Sequence, residues 1–393
     1  MNAALLRPDV QAYLSEHAHT DLHTFILKGS PFEDVSIQEL AQQLDGRRRM
    51  RHKLPLWHKT DGILFPPKLN LEQTSSEVTA SYKASLMKGV TLFDGTGGFG
   101  IDSYYFAQQL PQITYTEKNE SLFAFAKANF EQLQVDNLTM VQGDSLNYLK
   151  AHHSNYDVMY FDPGRRDSTK TKVFRLEDCE PDIVMHRRFL LGKTKQLWVK
   201  TAPFLDITAA ANALKQVSQL HIIAVDNEVK ELLWCVEDVS PTYDYTITVV
   251  NLKKTPSDKQ TFRHSDLRKA TARYAAPGKF LYEPNAALLK AGAFEWIGDH
   301  FSLYKLEKHS HLYTSDQLIV FPGRCFNILE VFPYSKALKK RYAGKQYNVT
   351  TRNFPLKVAD IRKKLNIKDG GSAYLFFTTL VDQSLVVIEC TKA

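Results

Sequence analysis

The chain has 393 residues, 44% hydrophobic and 24% charged, a balance that excludes a disordered or fibrous polypeptide and leaves room for two or three domains with their own cores. No stretch approaches the roughly 20 apolar residues of a membrane span, and the N-terminus lacks a signal-peptide core, so no membrane association and a cytoplasmic location are expected. The net charge of +7 is uneven: residues 256–393 carry 22 Lys and Arg against 12 Asp and Glu, which suits a polyanion-binding module or, more plainly, a solvated basic face.

Residues 1–75 read as an N-terminal helical segment. Helices are expected from Pro8 to His17 and from Ser36 to Leu44, with Ser36 as N-cap of IQELAQQL. The basic run Arg47-Arg48-Arg49 follows, and the paired prolines of LFPPKLNLEQTSSE predict an extended connection. From Val90 short apolar strands alternate with amphipathic helices, the pattern of a parallel sheet covered on both faces. VTLFD, ITYTE, LTMVQ, YDVMYFD and QLWVKT are the five best strands, with TYDYTITVVNL closing the sheet. The fold class is therefore α/β, a doubly wound Rossmann-like sheet over residues 76–255. KKTPSDKQTFRH reads as a polar linker. Residues 256–322 and 323–393 then form a smaller α+β region, with helices around SKALKKRYAG and Leu356–Leu365 between strands such as YNVTTRNF, AYLFFTTLV and SLVVIEC.

The first strand ends in an acid and opens into Asp94-Gly95-Thr96-Gly97-Gly98 before a helix, an arrangement suited to a nucleotide because glycines admit close backbone approach. The spacing is not the dinucleotide GxGxxG, and no Lys-Ser/Thr follows as in a P-loop. Glu117 ends the next strand 20 residues beyond Gly97, where a carboxylate can accept from two ribose hydroxyls. Asp144, followed by Ser145, ends the third strand, where a short acid can accept from an adenine amine. Each acid alone is an ordinary strand-end residue; three at successive strand ends act in concert. The turn and both acids resemble those of the class I methyltransferases. That resemblance implies S-adenosylmethionine as cofactor, with Gly95 and Gly97 holding its methionine part, Glu117 its ribose and Asp144 its adenine. Asp94, Thr96, Gly98 and Ser145 complete the candidate set.

The fourth strand ends YFDPGRRD, at the end of the sheet where ligands bind. Asp162-Pro163 resembles the Asp/Asn-Pro-Pro-aromatic element of base amino-methyltransferases, but Gly164 replaces the second proline and Arg165 the aromatic. The Asp-Pro-x-Arg pattern is similar to that of enzymes acting on carbon or ring nitrogen of RNA bases. Carbon-5 chemistry usually needs a thiolate. The fifth strand ends VKTAP without one, and Cys179 lies 17 residues past Asp162 on an expected helical approach. Direct transfer is expected, with Asp162 as polar anchor or proton acceptor, Arg165 and Arg166 clamping a phosphate, and Lys200 a lesser candidate. The plain reading of the arginines is a salt bridge to Asp167, Glu177 or Asp178. Cys179, Cys235, Cys325 and Cys390 are isolated, His152-His153 read as solvated, and no metal site is expected. Glu77, Tyr82 and Lys83 in SSEVTASYKA, and Glu228, Lys230 and Glu231 in DNEVKELLW, look site-like without a mechanism.

With LYEPNAALLKAGAF, these motifs resemble a little-described bacterial group of class I methyltransferases that end in a ferredoxin-like piece and a THUMP-like domain. The resemblance runs from about residue 70 to the end and implies an RNA substrate. Independently, Arg324, Lys339, Lys340, Arg341, Arg362, Lys363 and Lys364 crowd a short stretch in which Tyr334, Tyr342, Tyr347 and Phe354 are interleaved, suggesting a backbone-tracking surface with stacking aromatics. The resulting expectation is methylation of a base nitrogen in structured RNA, tRNA or rRNA. The alternatives are a small-molecule or protein acceptor, and a catalytically silent RNA-binding protein.

Overall fold

The computed structural model describes residues 1–165, 175–239, 244–252 and 258–393, apart from the Arg165 side chain. The chain forms two compact units, Met1–Ser218 with Leu233–Pro241, and Gln219–Leu232 with Thr242–Ala393.

The first unit is built on parallel strands β1 (Thr91–Asp94), β2 (Gln112–Glu117), β3 (Leu138–Gln142), β4 (Tyr156–Phe161) and β5 (Thr194–Thr201), in spatial order β5-β4-β1-β2-β3. Chain direction across the sheet reverses at β1, so right-handed crossovers place the connecting helices on both faces and leave a crevice beyond the carboxyl ends. Register sets Asp94 against both Tyr115 and Tyr160, Glu117 against Gln142, and Phe161 against Val199. The connecting helices start on side-chain caps: Asn119, Asp144, Asp182 and Asp206 each accept from a backbone N–H of the following first turn.

The N-terminal helices share this unit's core. Met50, Leu54, Trp57, Phe65 and Leu71 pack with Phe99, Ile101, Tyr115 and Phe130. The helix that Ser36 caps, in a capping box with Glu39, runs from Ile37 to Met50 and absorbs the arginine run as its last turn. Arg47 donates to the carbonyls of His58 and Thr60 at 3.1 Å, and Arg48 to that of Ala18 at 3.0 Å. These guanidiniums satisfy loop carbonyls. The connection expected to be extended instead holds a helix, Lys68–Gln73, because a proline is tolerated just ahead of a helix and Pro67 sits at its N-cap.

The hairpin of β6 (Val217–Val225) and β7 (Glu228–Val236) turns at Asp226-Asn227, both with positive φ, 48° and 64°. In the second unit β8 (Thr246–Leu252) pairs in parallel with β6 and antiparallel with β9 (Asp258–Arg263). Part of the expected linker is thus a strand. Its Phe262 is buried against Trp296, ring centroids 4.4 Å apart, and that burial outweighs the polarity of its neighbours.

A second sheet takes β10 (Phe280–Pro284), β11 (Tyr313–Ser315), β12 (Gly323–Pro333), β13 (Gln346–Arg352), β14 (Lys368–Thr379) and β15 (Leu385–Lys392), with a short strand Tyr304–Lys305 at one edge. Side chains alternate across it as the pleat requires: Leu375 and Phe377 join Tyr342, Ile361 and Leu365 under the helices Leu338–Tyr342 and Val358–Leu365, whereas Phe376 joins Leu281, Phe326 and Ile388 opposite. Among the described residues no helix is long and apolar enough to cross a membrane.

Candidate active site

The glycine turn is held from beneath by aromatic rings. A Cβ on Gly95 would lie 2.0 Å from the Phe161 ring and one on Gly97 2.1 Å from the Tyr115 ring, so these glycines serve packing against the sheet. Gly98, at φ +57°, is different: a Cβ there would meet only Thr96 O at 3.7 Å. Open space above the turn therefore lies at Gly98. The Tyr115 hydroxyl donates to Gly98 O at 2.5 Å, and the Gly95 and Gly97 amides donate to the carbonyls of Tyr160 and Thr116 at 2.9 and 2.8 Å.

Asp94 does not face the crevice. It is 1% exposed, with one carboxyl oxygen accepting from the Thr96 amide at 3.1 Å and the other from Ser103 Oγ at 2.5 Å. It shapes the turn from inside. Burial pushes its carboxyl up to about 7, against the hydrogen bonds from Ser103 and Thr96, and the charges of Asp102 and Asp162 push the same way as burial.

Glu117, half-buried, accepts from Gly98 N at 2.9 Å through one oxygen and from Asn119 N at 2.7 Å through the other. Asp144 is exposed and caps the helix Ser145–Ala151 by accepting from Asn147 N at 2.8 Å; Ser145 is buried beside it. Gly143, at φ +150°, donates to Glu117 O at 2.9 Å, and a Cβ placed on it would meet nothing within 4 Å, so the ends of β2 and β3 also border open space.

Asp162 is tied directly to this turn: its backbone amide donates to Thr96 Oγ1 at 2.6 Å. Its carboxylate pairs with the Lys200 ammonium at the end of β5, the lysine being largely buried and the carboxylate about one-third exposed. Pro163 is buried. Gly164 and Arg165 form a two-residue ladder with Cys179 and Glu180, so Cys179 lies in an extended segment, buried, and not on the expected helical approach. The side chain of Arg165 and all of Arg166 lie outside the described residues. The structure thus brings together Gly98, Thr96, Glu117, Asp162 and Lys200.

Two charged residues beside this site, Lys83 and Asp102, were given no role by the sequence. Asp102, just after the glycine turn, pairs with the fully buried Lys83, Nζ to carboxylate 3.0 Å, and accepts from the Tyr160 hydroxyl at 2.8 Å. Lys83 stands in the site-like SSEVTASYKA, whereas nothing in the sequence singled out Asp102. Glu77 in that segment accepts from Leu56 N at 2.5 Å and is half-buried, and burial raises its carboxyl. Glu228 and Lys230 form an exposed pair at 2.7 Å, while Glu231 is buried. Among the described residues no group of three His, Cys, Asp or Glu could hold a metal ion.

In the C-terminal region Lys339, Lys340, Lys363 and Lys364 are exposed on the two helices that cover one sheet face. The arginines are differently placed. Arg324 pairs with the buried Glu283, Nε 2.6 Å away, as does Arg352 at 2.7 Å. Arg341 lies between Glu330 at 2.8 Å and Glu389 at 3.2 Å, its guanidinium 4.1 Å from the centroid of Phe332, and Arg362 pairs with Asp369. The expected stacking aromatics are core residues: Tyr342 and Tyr347 are buried, and Tyr334 packs edge-on to Phe354 at 5.1 Å. Phenol rings at these positions gain more from the apolar core than from a wet surface.

Residues 280–322 match the family described as a ferredoxin-like domain, and residues 323–392 the THUMP domain-like family. Over its whole length the chain is similar to a proposed methyltransferase of Porphyromonas gingivalis W83 known from its crystal structure, 30% identical over 98% of each chain with a TM-score of 0.89. It is also similar to an uncharacterized RNA methyltransferase of Mycoplasma mobile, 27% identical over 155 residues. That match spans 38% of this chain and 42% of the relative, less than half of either.

Proposed function

We propose that this chain, which belongs to the class I methyltransferases that end in a ferredoxin-like and a THUMP-like domain, moves a methyl group from S-adenosylmethionine to a nitrogen of a base in structured RNA, tRNA or rRNA. The observation that carries the reading is the Thr96 to Asp162 hydrogen bond, which fixes the acidic end of β4 against the glycine turn.

The residues present fit the cofactor. Gly98 and Gly143 border open space, and the half-buried Glu117 stands between them. Gly98 would take its methionine part, Glu117 the ribose hydroxyls, and Asp144 with Ser145 the adenine. When bound, the cofactor supplies a methyl group on a positively charged sulfur. The chain's own task is orientation. The Asp162 carboxylate accepts a hydrogen bond from the N–H of the acceptor, Lys200 pairs with that carboxylate and orients it, and Pro163 stiffens the strand end. Alignment of this kind accounts for much of the rate in direct transfer, and no cysteine nucleophile is involved.

An RNA acceptor is supported by the excess of positive charge after residue 256, the exposed lysine quartet, the THUMP-like match and the name of the Mycoplasma relative. Calorimetry with S-adenosylmethionine, then transfer of labelled methyl into total RNA from a strain lacking the gene, tests the proposal. Nucleoside mass spectrometry of that RNA identifies the base. Absence of cofactor binding at millimolar ligand would sink it. Transfer to a small molecule or protein but not to RNA would leave the cofactor and replace the acceptor.

A further inference from the structure

We infer that Phe204 is the side chain against which the acceptor base stacks, so that its ring holds the face of the base while Asp162 holds its N–H edge. The inference rests on the reading of an RNA base as the acceptor.

Phe204 stands at the ligand end of the first sheet. It follows the last residue of β5 by three positions, and Lys200 in that strand pairs with Asp162 at the end of β4. Register sets Phe161 against Val199, and adjacent strands lie only about 4.8 Å apart, so the segments leaving β4 and β5 border the same end of the crevice. The turn that carries the ring is held on both sides. Thr201 is buried and its Oγ1 accepts from Trp234 Nε1 at 3.0 Å; Leu205 is buried too, and its amide donates to Ala202 O at 3.2 Å. Pro203 restricts the backbone of that turn, and Asp206 caps the helix Ile207–Leu214 by accepting from Ala209 N at 2.7 Å.

Between these anchors Phe204 is 60% exposed. The rings on the strands that lead to the site are placed differently: Phe93, Tyr115, Tyr160, Phe161 and Trp198 are all 1% exposed or less. A single exposed apolar residue is ordinary on a protein surface. This one is set apart by its place, on a pinned turn where ligands bind, in a chain whose Asp162-Pro163 element carries Arg165 where base amino-methyltransferases have an aromatic.

A base taken out of a helix loses its stacking partners, and an aromatic ring restores one. The hydrogen bond to Asp162 fixes where the N–H lies but leaves the base able to swing about that bond. A ring against its face removes the swing. Edge and face together set the direction from which the nitrogen meets the methyl group, and direct transfer gains its rate from that alignment.

Labelled methyl transfer into total RNA from a strain lacking the gene tests the inference in the full chain. Phe204→Ala and Phe204→Leu should each lower kcat/KM by about tenfold, the loss of one base–aromatic stack, whereas Phe204→Tyr keeps a ring and should stay within about twofold of wild type. S-adenosylmethionine affinity, measured by calorimetry, should be the same in all three. Val90→Ala removes exposed apolar surface at the opposite end of the same sheet, just before β1, and should match wild type. A second measurement needs no turnover. The four natural tryptophans, Trp57, Trp198, Trp234 and Trp296, are buried, so the indole introduced in Phe204→Trp stands out in acrylamide quenching. The same RNA, added with S-adenosylhomocysteine, should shield that indole. If Phe204→Leu performs as well as Phe204→Tyr, or RNA leaves the indole as open as before, the inference is overturned and the RNA reading stands. A wild-type protein that methylates no RNA overturns the RNA reading and the inference with it.

Discussion

Replacing Asp94 by Asn should make the first unit more stable at pH 8 and leave it nearly unchanged at pH 4. The folded carboxyl stands at about 7 because it is buried, against an ordinary 3.8. Between those values the unfolded chain has already released the proton that the folded chain keeps, so stability is full below about pH 4 and falls as pH rises towards about 7. At about 1.4 kcal/mol per pH unit the loss amounts to roughly 4 kcal/mol. The amide of Asp94→Asn reproduces the protonated acid: its oxygen keeps the Thr96 amide and its N–H turns to Ser103 Oγ. Hydrogen exchange of the β1 and β2 amides reads this unit alone, and comparing the two proteins at each pH cancels the intrinsic exchange rate. The gap in opening free energy should widen by roughly 2–3 kcal/mol between pH 5 and pH 8. A gap that stays constant over that range would show that Asp94 is ionised throughout, held by Thr96 and Ser103 alone.

Gly97→Ala places a methyl 2.1 Å from the Tyr115 ring, which is buried and bonded to Gly98 O, so it should lower stability by about 1–3 kcal/mol in a denaturant melt. Gly192→Ala, whose nearest neighbour is Phe189 O at 3.4 Å, is the control and should stay within about 0.5 kcal/mol of wild type. Glu117→Ala should weaken S-adenosylmethionine binding by about 1.5–3 kcal/mol in calorimetry, the cost of removing charged hydrogen-bond partners. Equal affinity in both proteins would remove Glu117 from the cofactor site. Changing Lys339, Lys340, Lys363 and Lys364 together to Ala should flatten the salt dependence of RNA binding, by up to about 0.9 in slope for each duplex phosphate that is no longer neutralised. Arg341→Ala should instead cost stability through Glu330, Glu389 and Phe332, with the salt slope unchanged.

The five parallel strands and the acids at their ends were legible because a buried parallel strand is a short apolar run and its ligand end is marked by a change to polar residues. Glycine and acid at that change are local signals. The Lys83 and Asp102 pair is not local: the residues lie on two helices with a strand between them, and each alone resembles an ordinary helix-surface charge. The β6 and β7 hairpin was missed for another reason. VSQLHIIAV lacks strict alternation because most of its side chains are buried, and a continuous apolar run does not by itself separate strand from buried helix. At the C-terminus the density of Arg and Tyr was read as one surface. Whether a given arginine faces solvent depends on acids such as Glu283 and Glu389, which are 41 and 48 residues from Arg324 and Arg341.

That separation of lysine from arginine bears on how the two regions would work. Paired arginines hold a fold by bidentate geometry, whereas lysines on flexible stems offer mobile charge to a phosphate backbone without fixing a sequence. The lysine quartet on the proposed reading therefore grips RNA with little discrimination, and selection of the base falls to the strand ends. There the parts are not independent. Gly95 is bonded to Tyr160, Thr96 to Asp162, and Asp162 to Lys200, so the glycine turn and the ends of β4 and β5 are one hydrogen-bonded piece. A reaction that gains its rate from alignment needs that rigidity more than it needs a reactive side chain. On the proposed reading, a site built this way would select its base by the geometry of the N–H presented to Asp162.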